Sequence, residues 1–143
     1  MVEELYKEID LIQSCIARMA DNSFKLKELY ISVITIALTV MLSTSCKLLI
    51  IGIFLIGATI VFWGLDAFYL KQETLYRWKY EWVIEKRPTG ERSYLYNLKP
   101  HNKDMWLDAQ KKNDHIVRFI FSKTLIPLYG TVIIISVILL LCG

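Results

Sequence analysis

The sequence has little of the chemistry from which catalytic and metal sites are built. Its 143 residues include only three cysteines and two histidines. Cys15, Cys46 and Cys142 lie far apart without C-x-x-C spacing, which argues against a disulfide framework or a metal site. His101 and His115 have no second ligand at a suitable spacing. The chain also lacks a glycine-rich phosphate loop, an H-E-x-x-H motif and a nucleophile elbow. We therefore predict no catalytic residue, no metal, no cofactor and no enzymatic activity.

Charge is absent from three long segments. No Asp, Glu, Lys or Arg occurs in residues 29–46, 48–65 or 124–143, and each run is 18 to 20 residues long. A helix that crosses a bilayer needs about 20 apolar residues. We therefore predict an all-α membrane protein with three transmembrane helices. The alternative is a soluble bundle with buried core helices, and uncharged runs of this length argue against it.

The basic residues indicate an orientation. Segment 71–123 holds 12 Lys or Arg and seven Asp or Glu, whereas the turn between the first two runs contains only Lys47. Lys and Arg favour the cytoplasmic side of a membrane. We therefore predict that the N-terminus and residues 71–123 are cytoplasmic and that the C-terminus faces the periplasm or the exterior.

Hydrophobic spacing and helix-breaking residues divide the chain into five predicted segments. These are an amphipathic N-terminal helix (1–21), a first span (24–46), a second span extended into the cytoplasm (47–87), a cytoplasmic connector (88–117) that is helical from Asp104 onward, and a third span (118–143). A turn at Asp21-Asn22-Ser23 separates the first two segments, because these residues are typical helix caps. The first segment is too acidic for a typical membrane-surface helix. We expect it to pack against protein, either the cytoplasmic half of the second span or a neighbouring subunit.

A line of hydroxyl side chains runs along the first span. Its members recur at helical spacing: Ser32, Thr35, Thr39 and Ser43. Such hydroxyls can bond to their own helix or to a neighbouring one. Alternatively, they line a narrow pore in an oligomer, because channel walls are polar but bind weakly.

Asp66 is the acidic residue closest to a span end. We predict a structural ion pair with Lys123, at the matching end of the third span, over an ion-binding role, because charges near the interface cost less to keep. Within the second span, Gly57 and Gly64 lie on one face and are candidates for close helix contact.

The cytoplasmic extension of the second span has more apolar surface than one neighbouring helix covers. This excess predicts a homo-oligomer built through the extension, unless residues 94–120 of the same chain cover it.

Basic and aromatic residues also alternate in the cytoplasmic extension and in the residues that follow it. The candidate ligand-binding residues are Arg77, Lys79, Lys86, Arg87, Arg92, Tyr94, Tyr96 and Lys99. Such residues bind the phosphates and bases of nucleotides or short single strands, or anionic lipid next to a membrane.

Several short motifs resemble a known family. They are Arg18-Met19-Ala20 with Asn22-Ser23-Phe24 and Leu26-Lys27, the junction Phe62–Glu73 followed by Tyr76-Arg77, and Ser122-Lys123-Thr124 with Tyr129-Gly130. They are similar to those of small bacterial membrane proteins found beside nucleotidyltransferases in antiphage loci, such as the effectors of the Hailong system. The resemblance covers most of the chain except residues 86–115. It implies an oligomeric channel of the bacterial inner membrane, with a tetramer favoured. The channel would be held closed by single-stranded oligo-deoxyadenylate that a partner nucleotidyltransferase makes.

Residues and resemblance together predict an ion channel or pore-forming effector of antiphage defence, gated by a nucleotide or oligonucleotide at its cytoplasmic part. The alternative is a non-conducting membrane anchor that recruits a cytoplasmic partner through residues 71–115.

Overall fold

The computed structural model describes residues 2–111 and 115–142, and every regular element within them is a helix. The elements are α1 (Val2–Ser43), α2 (Leu48–Lys86), α3 (Asp108–Lys111), α4 (Ile116–Ile120) and α5 (Ile126–Cys142), with 3₁₀ turns at Arg87–Thr89 and Lys103–Met105. The predicted all-α class is therefore confirmed for these residues.

The helices α1 and α2 form a long antiparallel hairpin. The chain reverses at residues 44–47, where Ser45 has a φ of 53° and the Cys46 amide donates to the Met41 carbonyl at 3.0 Å. By length and composition, both helices are long and apolar enough to cross a membrane. At about 1.5 Å per residue, α2 extends for nearly 60 Å, twice the thickness of a bilayer core. The prediction of one helix that runs far beyond an apolar span therefore agrees with α2.

The predicted turn at residues 21–23 is wrong, because α1 passes through this region without a break. The polar side chains that suggested a cap make other contacts. Asp21 forms an ion pair with Lys25 one turn later, with 2.6 Å between Oδ2 and Nζ. The Ser23 hydroxyl donates to the Asp66 carboxylate of α2 at 2.5 Å. Both contacts are compatible with a continuous helix. Neither side chain therefore acts as a helix cap.

The predicted third span is shorter than expected. Residues 118–125 contain the end of α4 and a turn, and α5 begins at Ile126. Its 17 residues cover about 25 Å at 1.5 Å per residue, slightly less than a typical bilayer core. Pro127 at the second position is compatible with this helix start.

Two apolar clusters hold the helices together. The first includes Tyr30 of α1, Ala67 of α2 and Tyr129 of α5. The second joins the N-terminal half of α1 to the polar half of α2 through Ile12 and Trp82, with further residues from the segment before α3. The N-terminal part of α1 thus packs against the α2 extension, as expected.

The segment between α2 and α3 covers another face of the extension. Met105 and Trp106 are buried there, and the Trp106 ring lies edge-on to Trp78 with 5.4 Å between centroids. Much of the apolar excess of α2 is therefore covered by the same chain. Leu65, Phe68 and Ile84 remain 45–47% exposed.

Candidate functional site

The hydroxyl line of α1 faces away from the rest of the protomer. At 3.6 residues per turn, its members lie on the side of the helix opposite Tyr30, which is buried against α2 and α5. Ser32, Thr35, Thr39 and Ser43 are all exposed. Each hydroxyl donates to a carbonyl of α1 itself, at 2.8 Å in every case. In the single protomer these side chains thus bond to their own helix, the first of the sequence-based alternatives.

The buried carboxylate of Asp66 connects three helices. It is fully buried and lies within 2.7 Å of the Lys27 ammonium of α1. It also accepts hydrogen bonds from the Ser23 hydroxyl at 2.5 Å and from the Tyr129 hydroxyl of α5 at 3.0 Å. Every donor comes from a helix other than that of Asp66. The arrangement neutralises the charge and fixes α1 and α5 against α2.

The predicted partner of Asp66 is therefore wrong. Lys123 is exposed in the turn before α5, and Lys27 takes its place. The signal was available in the sequence, since an antiparallel hairpin that turns at residues 44–47 brings positions near 26 opposite position 66. Extending this register would have selected Lys27.

The predicted ligand-binding cations are mostly engaged within the chain. Four of them pair with carboxylates: Arg77 with Glu73, Lys86 with Glu85, Arg87 with Glu8 and Arg92 with Glu4, all at 2.7–2.8 Å. The Arg87–Glu8 pair is bidentate and buried. Arg87 and Arg92 also border a cavity of about 220 Å³, together with Glu4, Glu8 and Glu91. A phosphate that enters this cavity has to compete with these carboxylates for the guanidinium groups.

Lys79 is fully buried and hydrogen-bonds within the chain. Its ammonium donates to the carbonyls of Asn97 and Lys99, the latter at 2.8 Å, and so ties the segment after α2 to that helix. Burial lowers the pKa of Lys79 to about 8, although the negative charge of Glu8 opposes the shift.

The remaining candidates lie at the surface near this segment. Tyr94 donates its hydroxyl to Asp104 at 2.9 Å, while Tyr96 and Lys99 are exposed. The structure therefore does not gather the eight predicted residues on one open surface. Among the residues described, no three His, Cys, Asp or Glu side chains are grouped so that they could hold a metal ion.

Comparisons with protein-family models, with curated proteins and with solved structures found no match. The resemblance to Hailong effectors therefore depends on the sequence motifs alone.

Proposed function

We propose that this chain is an oligomeric membrane channel, with α1 and α2 crossing the bilayer as a hairpin and α5 completing a third, shorter span. The observation that carries the proposal is the outward-facing hydroxyl line of α1. The polar end of the hairpin, with the N-terminus and residues 71–123, would lie in the cytoplasm of a bacterial cell, as the distribution of Lys and Arg favours.

In the oligomer that we propose, a second copy of the chain lies against the hydroxyl line, although each hydroxyl already donates to its own helix. Lipid tails offer hydroxyl groups no hydrogen bond, whereas neighbouring helices and water do. The four residues extend over about 16 Å of helix at 1.5 Å per residue. When α1 helices from several copies face a common axis, these hydroxyls form a polar wall without fixed charge. Each oxygen still has acceptor capacity for a passing hydrated ion.

The ion pairs at the polar end support a way of gating this channel. An anionic ligand that bound Arg87 or Arg92 would displace Glu8 or Glu4 and change how α1 packs against α2. Such a ligand shifts the balance between closed and open states if it binds one of them more tightly. The resemblance to Hailong effectors makes oligo-deoxyadenylate the first ligand to test.

The decisive experiment measures ion flux through the purified chain in planar bilayers. We expect discrete conductance steps, and we expect Thr35→Leu with Thr39→Leu to reduce their size. Thr131→Leu is the matched control, because Thr131 of α5 is also exposed and also bonds to its own helix. Its conductance should match that of the wild type. Reconstituted protein that conducts no ions contradicts the channel proposal.

Ligand binding is tested separately by titrating oligo-deoxyadenylate at low salt, where phosphate contacts are strongest. The absence of binding under these conditions removes the nucleotide from the proposal but not the channel.

The second candidate function is a non-conducting anchor. It is favoured by the extent to which the polar end is packed and ion-paired within one chain, since a rigid platform suits the recruitment of a soluble partner. Absence of ion flux together with recovery of a defined partner through residues 71–115 would select this function.

A further inference from the structure

A second site shares no lining residue with the cavity beside the Arg87–Glu8 pair. It is an open groove of about 720 Å³ between the polar half of α2, the helix α3 and residues 118–124. We call it the interfacial groove. Its lining includes the cations Arg118 and Lys123, the hydroxyls of Ser122 and Thr124, and the aromatic ring of Phe121.

The two cations distinguish this groove from the cavity beside Arg87. Both Arg118 and Lys123 are exposed, and neither side chain forms a hydrogen bond or ion pair with the residues that the structure describes. Glu81 is the carboxylate in the lining, and it accepts a hydrogen bond from Gln110 at 2.5 Å. The groove therefore carries a net charge of about +1. Its cations are available to an anion from outside.

The groove lies at the boundary between the polar and apolar parts of the fold. Lys123 is in the turn that leads directly into α5. Next to the cations, Val117 and Phe121 are 57% and 63% exposed. Trp63 donates its indole N–H to the Ile120 carbonyl at 2.9 Å. Exposed apolar side chains beside Lys, Arg and Trp are typical of the interface between lipid headgroups and acyl chains.

We infer that the interfacial groove binds the phosphate of an anionic lipid headgroup. Arg118 and Lys123 supply the charge. The hydroxyls of Ser122 and Thr124 share one hydrogen bond at 3.1 Å, which leaves one of the two to donate to a phosphate oxygen. Val117 and Phe121 enter the apolar layer beneath the headgroup. This arrangement favours a lipid over a phosphate dissolved in water, because a dissolved ligand gains nothing from apolar side chains at the rim. The inference relies on the membrane location in the proposed function, but not on ion conduction.

The test uses the full chain in neutral detergent micelles containing phosphatidylcholine. Phosphatidylglycerol is titrated in, and retained lipid is counted by native mass spectrometry. We expect phosphatidylglycerol to bind more tightly than phosphatidylcholine. The double substitution Arg118→Gln with Lys123→Gln should weaken its binding about 25-fold, at about fivefold for each charge near a membrane surface. Glu81→Gln should strengthen it, since a repelling charge is removed.

Two control variants separate a specific site from a general charge effect. Lys7→Gln with Lys25→Gln removes the same number of charges from exposed positions of α1 and should leave phosphatidylglycerol binding unchanged. Arg118→Lys with Lys123→Arg keeps the charges and should keep most of the affinity, which shows that the glutamine variant does not act by unfolding.

Three results would overturn the inference. The first is equal binding of the two lipids, and the second is an equal loss in the groove variant and the α1 control. The third is complete displacement of phosphatidylglycerol by millimolar inorganic phosphate, which would identify a site for a dissolved phosphate. A channel that still conducts after any of these results would leave the proposed function in place.

Discussion

Arg87 and Glu8 are separated by 79 residues in sequence, yet they form a buried bidentate ion pair. Nε and Nη2 of Arg87 donate to the two carboxylate oxygens of Glu8 at 2.7 and 2.8 Å, and the side chains are only 6% and 1% exposed. The remaining guanidinium nitrogen donates to the Glu91 and Ser93 carbonyls. The pair thus closes the open end of the α1–α2 hairpin, opposite the turn at residues 44–47.

Removing one member of this pair should destabilise the fold strongly. Glu8→Gln leaves a buried guanidinium without its counter-charge, and breaking such a pair typically costs about 3–5 kcal/mol. In a cycle with leucine at both positions, the double variant should cost clearly less than the sum of Glu8→Leu and Arg87→Leu. Thermal unfolding in detergent, followed by helical circular dichroism, measures all four proteins of the cycle. Additive losses would show that the two side chains do not act as a pair.

Long-range charge pairs are the part of this fold that local sequence patterns describe least well. The helical runs of α1 and α2 follow from absence of charge and from hydrophobic spacing. By contrast, the basic and aromatic residues near Arg87 and Arg92 in the sequence predict that these two side chains bind a ligand. Their actual partners, Glu8 and Glu4, belong to α1, and only the antiparallel register of the hairpin brings them together.

The same register determines the partner of Asp66. The effects of substituting Lys27 and Lys123 on stability can therefore be compared directly. Lys27→Gln removes the cation that lies 2.7 Å from a fully buried carboxylate, and we expect a loss of up to about 3 kcal/mol. Lys123→Gln affects an exposed residue and should change stability by less than about 0.5 kcal/mol. Both are measured by thermal unfolding in phosphatidylcholine micelles, where no anionic lipid is present.

If the two substitutions had equal effects, the structural assignment of the Asp66 partner would fail. Ser23→Ala offers a smaller change at the same carboxylate. It should cost about 1.5–3 kcal/mol, as expected for one buried hydrogen bond to a charged group.

Burial of Lys79 predicts a stability that depends on pH. The pKa of Lys79 falls from an ordinary value of 10.5 to about 8 in the folded protein. Between these two values the unfolded chain binds more protons than the folded chain, so the contribution of Lys79 to stability increases as the pH rises from about 8 towards 10.5. Below pH 8 the lysine is charged in both states and its contribution is constant.

The measurement compares wild-type protein with Lys79→Met by chemical unfolding from pH 7 to pH 9.5. We expect the stability of wild-type protein relative to this variant to increase above pH 8, since other titrating groups cancel in the difference. The exposed Lys7→Met variant is the control and should follow wild type in parallel. A constant difference between wild type and Lys79→Met across the range would exclude a lowered pKa for this lysine.

Glycine positions show what spacing alone does not determine. Their spacing places Gly57 and Gly64 on one helical face, but among the described residues no heavy atom outside the adjoining helix backbone lies within 4 Å of a Cβ built at either one. The close approach occurs at Gly52. A Cβ there would lie 2.8 Å from Cγ of Leu140 in α5 and 3.2 Å from the Ser136 carbonyl oxygen. Which glycine faces α5 depends on how the two helices pack, and the spacing of glycines along the sequence does not determine that packing.

Gly52→Val should therefore weaken the contact between α2 and α5. The Leu140 side chain can rotate away from the added side chain, but the Ser136 backbone has to move with its helix, and overpacking of this kind costs about 1–3 kcal/mol.

Gly57→Val is the matched control. It places the same side chain at an open position of the same helix and should not destabilise the protomer. Cysteine crosslinking between α2 and α5, together with thermal unfolding, measures both. Loss of stability in the Gly57 variant alone would indicate that this face contacts another copy of the chain, and equal tolerance of both variants would contradict the close packing at Gly52.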